Sequence, residues 1–116
     1  MIERSAQDFR KTPPEYNGCL TNARVALESL VKSIAIARGC SADVSWGQAL
    51  SYLRTSGFIS ESEEKAIAGV YGFVSQGAHR PMALSEQEMA RLGRNLAISM
   101  CYFIIKLYNQ TQLRSS

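Results

Sequence analysis

From about Glu15 to Arg38 one set of apolar positions is Tyr16, Leu20, Ala23, Leu27, Leu30, Val31, Ile34 and Ala37. Steps of three and four keep such residues on one side of a helix with about 3.6 residues per turn. A helix is predicted over Glu15 to Arg38, with Gly39 as the residue that ends it. Arg24, Glu28 and Lys32 stand four apart on another side. They read as a solvated ion-pair stripe, or alternatively as residues of a functional groove.

Three serines then open three further helices. Ser45 with Gln48, Ser60 with Glu63 and Ser85 with Glu88 each form the pattern of a capping box, in which side chain and backbone satisfy each other's free N–H groups. The first of these helices carries Trp46, Leu50 and Leu53 inward and stops at Gly57. The second runs to about Gln76 with Ile67, Val70, Tyr71 and Val74 as its buried side. Glu61, Glu63 and Glu64 fall in its first turn, where the positive end of the helix dipole favours carboxylates.

The last and longest helix should reach Leu113. Met89, Leu92, Leu96, Met100, Phe103 and Leu107 follow helical spacing and are expected to face the core. A second apolar set, Ile98, Tyr102 and Ile105, lies on another side of the same helix. A helix apolar nearly all round asks to be covered all round. In a domain this small, a second copy of the chain is the simplest cover, so a homodimer through Ile98, Tyr102 and Ile105 is expected.

No stretch alternates apolar and polar residues as a half-buried strand would, and no segment repeats. The fold expected is therefore all-α, a four- to five-helix up-down bundle over residues 15–114. Residues 1–14 are polar and end in KTPP, which reads as a flexible N-terminal arm or linker. At 116 residues the chain suits a single domain.

Composition narrows the function classes. Charged residues make up 20% and the net charge is +3, which permits an acidic partner such as RNA without the strongly basic stripe of a dedicated nucleic-acid binder. Cys19, Cys40 and Cys101 are odd in number and form no CxxC pair, as expected of reduced cytoplasmic thiols, and no metal or cofactor is expected. The start, MIERSAQDFR, is too polar for a signal peptide. The longest apolar run, Leu96 to Tyr108, is shorter than the ~20 residues that cross a bilayer, so no membrane partner is expected.

The one histidine, His79, sits in YGFVSQGAHRPM between two helices, followed by Arg80. Imidazole as general acid or base beside a guanidinium that stabilises phosphate charge would suit phosphodiester cleavage. The plainer reading is a helix-end histidine beside a solvated arginine. Ser75, four residues before His79, has no nucleophile-elbow surroundings, and no phosphate-binding glycine loop is present.

NARVALESLVKSIA (22–35), SWGQALSYL (45–53) and YGFVSQGAH (71–79) leading into a long final helix resemble the HEPN superfamily, most of all its abortive-infection C-terminal branch. The resemblance covers about Tyr16 to Tyr108. It implies a dimeric helical bundle and, in many members, a metal-independent RNase built on an Arg-x4–6-His motif. With His79 as the motif's histidine, the arginine position falls on Gly72, Phe73 or Val74, none of which is arginine. The resemblance therefore implies a non-catalytic dimerisation or interaction module, associated with RNA or with a fused or partner domain of a defence or toxin-type protein. The alternative is an endoribonuclease using His79 with Arg80 or Arg24. Candidate RNA contacts are Arg24, Arg80, Arg91 and Arg94.

Overall fold

The computed structural model describes residues 16–76 and 85–115. The expected arm, as well as His79 and Arg80, lies outside the described residues. Four helices and no strand are found among those described: α1 (Tyr16–Ala37), α2 (Trp46–Thr55), α3 (Glu61–Ser75) and α4 (Glu86–Ser115).

Helix ends follow the local chemistry. At α2 the Ser45 hydroxyl accepts from the Gln48 N–H at 3.3 Å while the Ser45 N–H donates to Gln48 Oε1 at 3.2 Å. Ser60 and Glu63 do the same at α3, as do Ser85 and Glu88 at α4. Past α1, Gly39 takes φ 113°, donating to the Ile36 carbonyl while Cys40 donates to that of Ala35. These two bonds close a Schellman motif, and its left-handed residue explains the glycine. Gly57 (φ 85°) repeats the motif after α2, with Phe58 donating to the Leu53 carbonyl.

α1, α3 and α4 alternate in direction. Leu20 and Ala23 of α1 cluster with Ala90 and Ala97 of α4 and with Val74 from the end of α3. Further along, Leu27, Val31 and Ile34 meet Ile67 and Ile104. α1 and α4 thus run parallel, with α3 antiparallel to both. The short α2 packs on α1 and, less extensively, on α3. The all-α expectation holds, and the up-down alternation belongs to the three long helices.

The buried side of α4 differs from the one expected. Met89 is buried, but Leu92 and Phe103 are 40% and 38% exposed, and Leu96, Met100 and Leu107 are only half-buried. The core side is formed by Ala90, Gly93, Ala97 and Ile104. Gly93 shows the reason: a Cβ placed there would lie 2.5 Å from Leu20 Cδ2. α1 and α4 approach so closely that small residues win the interface, and the larger side chains are turned outward. At the end of α1, Ala37 is likewise exposed rather than part of the core.

Candidate functional site

The stripe on α1 proves to be the base of a network across three helices. Glu28 accepts from Arg24 Nη1 at 3.0 Å, from Lys32 Nζ at 2.8 Å and from the Tyr71 hydroxyl of α3 at 3.2 Å. The Tyr71 ring stacks on Trp46 of α2, with centroids 3.9 Å apart and planes 13° from parallel. The hydrogen bond from Lys32 leads in holding the Glu28 carboxyl below the usual glutamate range, with Tyr71 and Arg24 adding to it against partial burial. A carboxylate kept ionised by three donors is a poor proton donor. Its role is to tie α3 to α1 while the ring stack ties α3 to α2. Arg24, a candidate RNA contact, is committed to this network. Trp46 is half-buried in the stack rather than fully in the core.

α4 carries the remaining described candidates. Arg91, Arg94, Ile98, Tyr102 and Ile105 recur at steps of three and four, so two arginines and the three expected dimer residues share one flank. Tyr102 is 63% exposed and Ile105 is also exposed, whereas Ile98 is half-buried. Lys106 places its ammonium 5.4 Å from the centre of the Tyr102 ring. Arg94 is half-buried, and its Nε has no hydrogen-bond partner. Arg24 stands apart from this flank, on the side of α1 that faces Tyr71.

The opposite flank of α4 holds a feature that the sequence pattern does not announce. There Leu96, Ser99, Met100 and Phe103 meet Ala66 and Val70 of α3 around a mostly apolar cavity of about 420 Å³. Two more cavities lie along the outer side of α4, with no residue of α3 in their linings. One, of about 370 Å³, lies at Glu88, Arg91, Leu92 and Asn95, and another, of about 350 Å³, lies from Tyr102 to Gln110. The only hint in the sequence is Ala66 and Ser99, small residues at positions that would otherwise close the gap.

The thiols offer little chemistry: Cys19 is buried, and burial pushes the half-buried Cys101 thiol up, away from the reactive thiolate. Among the described residues no group of three or more His, Cys, Asp or Glu is placed to hold a metal ion, and no helix is long and apolar enough to cross a membrane. No family model, curated protein or solved structure matches the chain.

Proposed function

We propose that this chain is a non-catalytic, HEPN-like helical module that associates with a second copy of itself through α4, as the C-terminal domain of a defence or toxin-type protein would. One observation carries the reading. Among the described residues six large apolar side chains are exposed, and five of them (Leu92, Tyr102, Phe103, Ile105 and Leu113) stand on α4. Scattered singly, such residues mean little, but Leu92 and Phe103 share one flank of α4 with the half-buried Leu96, and together they mark an interaction surface. Arg91 and Arg94 on the same helix leave room for an RNA partner at its N-terminal end.

Size-exclusion chromatography with light scattering on the full chain tests the proposal. A dimer is expected at micromolar concentration, and a strict monomer would overturn it.

A further inference from the structure

We infer that the two copies meet antiparallel along the α3–α4 groove, the Phe103 ring of each seated against Ser99 of the other. This rests on the self-association proposed above and deepens it by fixing the face and the register.

The groove is the cavity lined by Ala66 and Val70 of α3 on one side and by Leu96, Ser99, Met100 and Phe103 of α4 on the other. At 1.5 Å per residue it extends about 10 Å along α4, from Leu96 to Phe103. An occupant must be apolar along one stripe and bring a large side chain to this mostly apolar lining. α4 itself, a 30-residue helix with Leu92, Leu96 and Phe103 spaced along one flank, has those properties.

Charge fixes the direction. The first turn of α4 is acidic, with Glu86 and Glu88, and its last turn carries Arg114. An antiparallel pair places each acidic end beside the partner's basic end and aligns the helix dipoles favourably. Side-chain size fixes the register. A two-fold axis crossing α4 at residue 101 sets Phe103 opposite the partner's Ser99, a large side chain against a small one, and does so twice by symmetry. The same axis brings Glu88 opposite the partner's Arg114, and lays the aliphatic stem of Lys106 over the partner's Leu96. Moving the axis two residues toward the N-terminus sets Ser99 against Ser99 and takes Arg114 away from Glu88. The occupant is therefore a second copy in this register rather than a foreign amphipathic helix.

The test is a reciprocal exchange read by light scattering and by dilution of the dimer. S99F and F103S alone should each weaken the dimer about tenfold or more. The double variant S99F/F103S should restore it, because the exchange recreates the same large–small pair across the axis. I105E, on the other flank, should leave the dimer intact. Circular dichroism melting verifies that each variant is folded, and F103E provides a second route should a single exchange variant fail to fold. A dimer that survives F103E and S99F but dissociates with I105E would overturn this geometry and leave self-association standing. A wild-type monomer would overturn both, and a wild-type monomer whose groove binds an unrelated amphipathic helix would replace the second copy as occupant.

Discussion

Replacing Gly93 by alanine should destabilise the fold, although alanine is the better helix former. In an open helix interior, glycine to alanine gains about 1 kcal/mol. At Gly93 the added Cβ would stand 2.5 Å from Leu20 Cδ2, 3.3 Å from Val74 Cγ1 and 3.4 Å from Phe73 Cε1. Carbon atoms prefer roughly 3.5–4.0 Å. Leu20 is 1% exposed, so its terminal methyl has no solvent to move into. Overpacking of this kind costs about 1–3 kcal/mol. Gly69, inside α3 with nothing within 4 Å of an added methyl, is the matched control. Because both substitutions gain the same helix propensity, the difference between G93A and G69A isolates the clash, at about 1–3 kcal/mol. For a domain this size each kcal/mol moves Tm by roughly 4–8 °C, so G93A should melt well below G69A. Circular dichroism melts at one fixed protein concentration read this directly. If G93A proves as stable as G69A, the close parallel approach of α1 and α4 is wrong.

Three further outcomes follow from the same packing. Glu28 has its folded pKa lowered, so its stabilisation is complete above the ordinary glutamate value of about 4.3 and is lost as pH falls through the lower folded value. E28Q should therefore flatten part of the acid limb of a urea-midpoint profile, and an unchanged limb would argue against the Lys32–Glu28–Tyr71 network; Glu88, lowered by its bonds to Ser85, keeps some slope in both proteins. S60A, which removes the hydroxyl accepting the Glu63 N–H, should cost about 1 kcal/mol in chemical unfolding, and no loss would mean the cap is dispensable. Incubation with single-stranded RNA in EDTA should give no cleavage. Cleavage abolished by His79→Ala would favour the endoribonuclease alternative.

The helix boundaries are legible because they depend on neighbours in the chain. Each capping box needs only a residue three positions away, and Gly39 and Gly57 answer a local demand for positive φ. The orientation of α4 is not legible, because side-chain size is a poor sign of burial where two helices nearly touch. There Ala90, Gly93 and Ala97 fill the contact and Leu92 and Phe103 are left outside. The bond from Tyr71 to Glu28 joins residues 43 apart on different helices, and no local pattern announces it. Of the expected dimer residues, Tyr102 and Ile105 do stand exposed on α4, in keeping with a second apolar side. The groove on the other flank needs the position of α3, which periodicity along α4 does not contain.

The central claim is that α4 joins two copies of this chain. Light scattering on the full chain, run over a dilution series into the micromolar range, measures it most directly. A mass of twice 12.8 kDa that falls toward the single-chain value on dilution is expected, with a monomer for F103E under the conditions where the wild type is a dimer. A wild-type mass of 12.8 kDa throughout the series would contradict it.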